Sequence, residues 1–214
     1  MPALRPEIQY ATLAQQSETA QLGMWVFLAT EVLFFGGIML AYEVYRTSYP
    51  AAFAAAMAES VIVIGAINTA LLLTSSFTMA LAVHWTAIGQ PRRATGSLIL
   101  TAGLGVAFLA LKALEYYIDY QDHVVPRLGF EIHGVPRGPA ELFWLFYFYA
   151  TGLHAIHLTI GIVVLSVMIV HSWRQRFLPQ SHNLLEVAGL YWSFIDIVWV
   201  FLFALIYPIG RVVS

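Results

Sequence analysis

The chemistry open to this 214-residue sequence is limited to a few ionisable side chains embedded in apolar stretches. Glu31 is followed directly by Val32, Leu33, Phe34 and Phe35, and a carboxyl in such surroundings is a candidate to exchange protons. His154 and His157 are three residues apart, which places two imidazoles on one face of a helix. Asp196 follows Phe194 and Ile195 and precedes Ile197, Val198 and Trp199. Lys112 and Glu115 are again three apart and suit an ion pair on one helix face. Burying one such group at the centre of a hydrocarbon layer costs about 2.5–3.5 kcal/mol or more for Asp or Lys, so each needs a partner or a function.

Two readings of the set stay open. Glu31, His154, His157 and Asp196 can hydrogen-bond one another and lock the helix register, or the carboxyls can carry protons. Lys112 and Glu115 read as a structural pair. His154 and His157 could chelate one ion, but no third ligand stands nearby in sequence. His157 and His171 are fourteen apart, a spacing suited to two stacked haems. A bis-histidine haem needs a partner helix, and the other candidate, His84, cannot serve two haems. The sequence has no Cys, which removes disulfides, thiolate metal sites and Cys nucleophiles. Neither a strand–turn–helix motif for Ser/His/Asp catalysis nor a phosphate-cradling Gly loop is present.

The elements that hold these residues follow from composition. Hydrophobic residues make up 60% of the sequence and charged residues 10%, against about 45–50% and 25% in soluble domains. Lipid must therefore be the solvent for much of the chain. A span needs about 20 apolar residues, and residues 22–45, 60–84, 95–118, 141–171 and 185–209 qualify. Between them lie connections rich in breakers and charges, at residues 46–59, 85–94, 119–140 and 172–184. Nothing shows the alternating ten-residue segments of a membrane barrel. The expected fold is all-α, a polytopic bundle of five transmembrane helices over residues 22–214, preceded by a polar cytoplasmic segment at residues 1–21. That segment lacks the basic and apolar regions of a secretory signal. The net charge of −2, without basic runs, points to no nucleic acid.

With five spans, Arg5, Arg92, Arg93, Arg174 and Arg176 fall on one side and Arg46, Arg127, Arg137 and Arg211 on the other. The short loops place the N-terminus in the cytoplasm and the C-terminus outside. Glu31, His154, His157 and Asp196 then share one layer, with the two carboxyls roughly 13–17 Å deep at 1.5 Å per residue. Small residues inside the spans (Gly36, Gly37, Gly65, Gly103 and Gly161 among them) allow close helix packing within the bundle or against another subunit. Nine Arg against one Lys suggests a GC-rich bacterium.

Several segments together resemble subunit III of the haem–copper oxidases, the cytochrome c oxidase type. "GMWVFLATEVLFFGG" resembles that family's helix with the buried glutamate, here Glu31. "INTALLLTSSFTMALAV" resembles the next helix, with Asn68, Ser75 and Ser76. "LALKALEYY" is similar to its Lys and Glu-Tyr motif, and "TGLHAIHLTIG" to its two-histidine helix. "EVAGLYWSFIDIVWVFLFALIYPIG" resembles the closing helix, with Glu186, Trp192, Asp196 and Trp199. The resemblance runs from about Leu22 to Gly210, in family order.

The resemblance implies an accessory subunit beside the catalytic subunit I and subunit II of a proton-pumping oxidase in a bacterial inner membrane. Subunit I would hold the haems and copper that reduce O2 to water, and this chain none. The implied roles are support of proton uptake, of O2 access through lipid-filled routes, and of the stability of the catalytic subunit. Longer family members have seven helices, with phospholipid in a cleft beside the first two; the five-helix form matches this chain. Arg174 and Arg176 could hold lipid phosphates. The family usually has His where Ser193 stands. A related subunit of a quinol oxidase or nitric oxide reductase is the nearest alternative. A haem-bearing anchor and a proton-coupled transporter using Glu31 and Asp196 are more remote ones.

Overall fold

In the computed structural model, residues 10–127, 130, 134–173 and 181–207 are described. They form six helices: α1 (Leu13–Ser48), α2 (Pro50–Glu59), α3 (Ile62–Ala87), α4 (Pro91–Gln121), α5 (Arg137–Trp173) and α6 (Ser181–Ile206). All except α2 are long and apolar enough to cross a membrane. No strand occurs among the described residues. The five spans hold 24 to 35 residues, or about 36–53 Å at 1.5 Å per residue. They therefore reach past a hydrocarbon core of roughly 30 Å into the headgroup layer.

Local chemistry fixes the boundaries. Thr12 caps α1, its Oγ1 accepting from the Gln15 amide at 3.1 Å. α1 stops at Tyr49 because a residue before proline is pushed out of the helical region, and Pro50 then opens α2. After α3 the chain turns through Gly89, at φ 71°, and Pro91 opens α4. Beyond α4, His123 takes φ 56°.

Three features depart from the sequence expectation. α2 lies in what reads as a connection. Its sequence, PAAFAAAMAE, joins a proline at the first turn to strong helix formers. It buries Ala52, Phe53, Ala56 and Met57, and ten residues are too few for a search keyed to span length. α1 begins at Leu13, so the polar segment and the first span share one helix. α4 runs on to Gln121, which draws Asp119 out of the expected loop and into the core.

The helices enclose two cores. One joins Phe35 and Tyr42 of α1 with Phe53 of α2, Phe143, Trp144 and Tyr147 of α5, and the C-terminal end of α6. The other lies among α3, α4, α5 and α6, around Leu72, Phe108, Leu158, Trp192 and Trp199. α1 is the least buried span, with Trp25, Leu33 and Leu40 on its open face.

Trp192 wedges the second core. A Cβ added at Gly105 would stand 2.9 Å from its ring, and one at Gly161 3.1 Å. Gly36, Gly37 and Gly103 meet nothing within 4 Å. Of the small residues singled out from sequence, then, Gly65 and Gly161 serve close packing inside the chain while these three lie open. Gly105→Val should destabilise the detergent-solubilised protein by about 1–3 kcal/mol through overpacking. Gly103→Ala, half a turn away, should instead stabilise it by about 0.5–1 kcal/mol. SDS-unfolding midpoints check both; equal effects would refute the Trp192 wedge.

Candidate functional site

The polar groups expected in one layer are divided among three settings, because the helix faces that carry them look at different neighbours. Glu31 and His157 pair across α1 and α5. His157 Nε2 stands 3.1 Å from Glu31 Oε2, with both side chains 16% exposed. His157 Nδ1 lies 2.9 Å from the Leu153 carbonyl. A carbonyl only accepts, so this network assigns the proton to Nδ1. Nε2 is then protonated only in the imidazolium. The contact has ion-pair distance without hydrogen-bond alignment, and Glu31 Oε2 accepts no hydrogen bond among the described residues. Phe35 packs edge-on against the imidazole at 5.3 Å, and the Tyr191 hydroxyl donates to the His157 carbonyl at 2.9 Å.

His154 looks elsewhere. Residues three apart diverge by about 60° around a helix, and on α5 that angle separates the α1 side from the α4–α6 side. The His154 ring is buried between Phe108, at 5.5 Å, and Trp199, at 5.1 Å. Neither of its nitrogens has a hydrogen-bond partner among the described residues.

Asp196 is tied to α3 rather than to either histidine. Its Oδ2 accepts from Ser76 Oγ at 2.5 Å and faces Ser75 Oγ at 3.3 Å. Ser75 also donates to the Leu72 carbonyl at 2.8 Å and receives the Trp192 indole N–H at 3.0 Å. One hydroxyl has one proton, so Ser76 is the firmer donor to Asp196. Asp196 Oδ1 has no hydrogen-bond partner among the described residues.

Lys112 and Glu115 meet on α4 at 3.0 Å, both buried. The ammonium also donates to the hydroxyls of Tyr147 and Tyr207, each at 3.0 Å, so all three of its protons are placed. Tyr147 donates in turn to Asp119 Oδ2 at 2.8 Å, and Tyr207 to Glu115 Oε1. The Lys112 nitrogen lies 4.4 Å from the centre of the Tyr147 ring. The sequence reading missed Asp119, Tyr147 and Tyr207 as members. Asp119 was findable: it follows Lys112 and Glu115 on one α4 face once the helix is carried to Gln121. Tyr147 and Tyr207 come from distant segments, with no local signal.

Arg174 and Arg176 lie outside the described residues, as does the side chain of His171. Among the described residues, no three His, Asp or Glu side chains are grouped so as to hold a metal ion.

The sequence profile of the Cytochrome c oxidase subunit III family matches residues 9–211. The chain belongs to that family. Quinol oxidase subunit 3 of Bacillus subtilis (strain 168) is 29% identical over 206 residues, covering 94% of this chain and 93% of that protein. Cytochrome c oxidase subunit 3 of Cyprinus carpio is 32% identical over 191 residues, covering 86% of this chain and 67% of the relative. That of Latimeria chalumnae is 32% identical over 200 residues, covering 89% and 69%.

In this subunit III family member, the Lys112 cluster has the firmest bonding of the four settings and the most buried charge. Removing one partner of a buried pair strands the other, so Lys112→Met alone or Glu115→Leu alone should destabilise the chain by about 3–5 kcal/mol. The double replacement should recover part of that loss. Unfolding midpoints of the three variants check this; losses that simply add would disprove the pairing.

Proposed function

We propose that this chain is an accessory subunit of a terminal haem–copper oxidase, a cytochrome c oxidase in the first instance. It holds no redox centre of its own and supports proton uptake, O2 access and the stability of the catalytic subunit. The observation that carries the reading is the family match over residues 9–211. Haem and copper then reside in the catalytic subunit I, which this chain contacts directly, with subunit II completing the core and phospholipid as a bound component. The chain lies in a bacterial inner membrane, its N-terminus in the cytoplasm and its C-terminus outside.

The geometry supports a support role at a defined place. α1 is the least buried span, and the Glu31–His157 pair fastens it to α5 within the membrane. A carboxyl facing an imidazole at this place suits a proton-exchanging role beside a proton-moving neighbour. Arg92 and Arg93 in the first turn of α4 provide cytoplasmic charge, with Arg93 stacked over Trp85 at 4.8 Å.

A second reading, a quinol oxidase partner, rests on the likeness to Quinol oxidase subunit 3 of Bacillus subtilis, 29% identical over 206 residues.

Purification of the tagged chain from its own membrane in mild detergent tests the reading. A large haem- and copper-bearing subunit should copurify, and the chain stripped of it should be colourless. Oxidation of reduced cytochrome c or of a quinol by the complex then chooses the donor. A chain that purifies alone, or keeps haem by itself, defeats the proposal. Within the complex, Glu31→Gln keeps a polar group facing His157 but cannot carry a proton, whereas Glu31→Ala removes both. Loss of the contact should loosen α1 by about 1–3 kcal/mol in Glu31→Ala. If proton exchange is the duty, turnover falls in both variants; if linkage is, it falls in Glu31→Ala only. Turnover and complex lifetime equal to wild type in both would remove Glu31 from the mechanism.

A further inference from the structure

Buried polar atoms are nearly always hydrogen-bonded, and those without protein partners mark ordered water or a bound ligand. Eight buried side-chain atoms among the described residues have no such partner, and five of them lie on Asn68, His154 and Asp196. These residues are 0%, 1% and 2% exposed. Both amide atoms of Asn68, both ring nitrogens of His154 and Oδ1 of Asp196 are involved.

The helix registers bring the three toward one region. Gly65, Asn68, Leu72 and Ser75 recur at helical spacing on the buried face of α3. At one end of that face, a Cβ on Gly65 would stand 2.8 Å from the Tyr207 ring, whose hydroxyl belongs to the Lys112 cluster. At the other end, Ser75 receives the Trp192 N–H and meets Asp196. Asn68 stands between the two clusters. Trp199 lies one turn beyond Asp196 on α6, and its Nε1 donates to Thr69 Oγ1, next to Asn68, at 3.1 Å. The His154 ring is 5.1 Å from the Trp199 ring, and Lys112 Nζ is 5.5 Å from it. One indole thus touches Thr69 beside Asn68, the His154 ring and the Lys112 ammonium.

The unpartnered atoms are chemically mixed. An amide offers two donors and an acceptor, a neutral imidazole one of each, and a carboxylate oxygen only accepts. A cation would face the N–H groups of Asn68 and His154, and an anion would face the Asp196 oxygen. Water alone both donates and accepts at every one of these positions.

We propose that ordered water bridges Asn68, His154 and Asp196 around the Trp199 indole. It joins the Asp196–Ser75–Ser76 cluster to the Lys112–Glu115–Asp119–Tyr147–Tyr207 cluster in one continuous hydrogen-bonded path inside the bundle. All three Lys112 protons are committed within its cluster, so the bridge enters that cluster at the Tyr207 hydroxyl oxygen, which still has a free lone pair. The path runs from mid-membrane toward the α4 end that carries Asp119, and it stands whichever oxidase the chain serves.

X-ray radiolytic labelling of the purified oxidase complex containing this chain tests the bridge, because hydroxyl radicals form from water held against a side chain. Normalised to intrinsic reactivity, Trp199 and His154 should be oxidised well above Phe143, which is equally buried in the aromatic core beside α2. Asn68→Leu should bring Trp199 down to the Phe143 level and leave the exposed Trp25 unchanged. Wild-type Trp199 and His154 that label no faster than Phe143 overturn the proposal, whether or not the variant folds. So does a high-resolution map of the complex in which Asn68 and His154 hydrogen-bond each other directly.

Discussion

In hydrocarbon there is no bulk water to take up a spare hydrogen bond, so a polar group in the membrane has to find its partner inside the bundle, on another side chain or on enclosed water. Helices satisfy the backbone, and many hydroxyls are satisfied just as locally. Thr69, Thr74, Thr86, Thr159 and Ser166 each donate to the carbonyl one turn back, at 2.7–2.9 Å. Such residues travel through the bilayer without a neighbour's help. Charged groups have no local solution of this kind. Lys112, Glu115 and Asp119 are buried where α4 meets α5 and the end of α6, and the phenolic hydroxyls of Tyr147 on α5 and of Tyr207, directly after α6, complete their bonding. The packing of this half of the bundle is bound to that cluster: moving α5 or α6 along its axis by one turn would withdraw Tyr147 or Tyr207 and strand an ammonium.

The same rule explains how α1 is attached. It adds little to the buried core, yet three polar clips hold it at separate heights. Gln21 donates to Glu186 on α6 at 3.3 Å, Glu31 meets His157 on α5 at 3.1 Å, and the Tyr42 hydroxyl donates to the Leu205 carbonyl at 2.9 Å. Each clip is specific in register, because a shift of α1 would break all three together. Between them the contact is apolar, and the outward face is left to lipid or to a neighbouring subunit. The helix is therefore fixed in register while its outward face stays open, as a span at the edge of an assembly requires.

Much of this could be read from the chain alone. The five spans are unmistakable because nothing except lipid solvates so much apolar side chain, and the breakers between them are concentrated in short stretches. The misread places share a cause: amphipathic or terminal helix that no hydropathy window detects. α2 is ten residues long, and the first turn of α4 carries Arg92 and Arg93. Asp119 reads as a loop acid until the helix is extended beneath it. At the site, residue types and depth were legible, but partners across helices were not. That Asp196 takes hydroxyls from Ser75 and Ser76, rather than an imidazole, depends on how α3 and α6 rotate against each other, which no spacing within one segment encodes.

Two pairs show how far spacing carries an argument. Lys112 and Glu115 are three apart on α4; His154 and His157 are three apart on α5. The first pair converges because its members attract and the whole face is enclosed by Tyr147 and Tyr207. The second pair diverges because α5 lies between two neighbours, and like groups gain nothing by meeting. His157 turns to the carboxyl on α1 and His154 to the rings of Phe108 and Trp199. Identical spacing thus gives a closed ion pair in one helix and two separate environments in the other. The deciding factor is what the facing helices present, hydroxyls, a carboxyl or aromatic rings, a property of the assembled bundle.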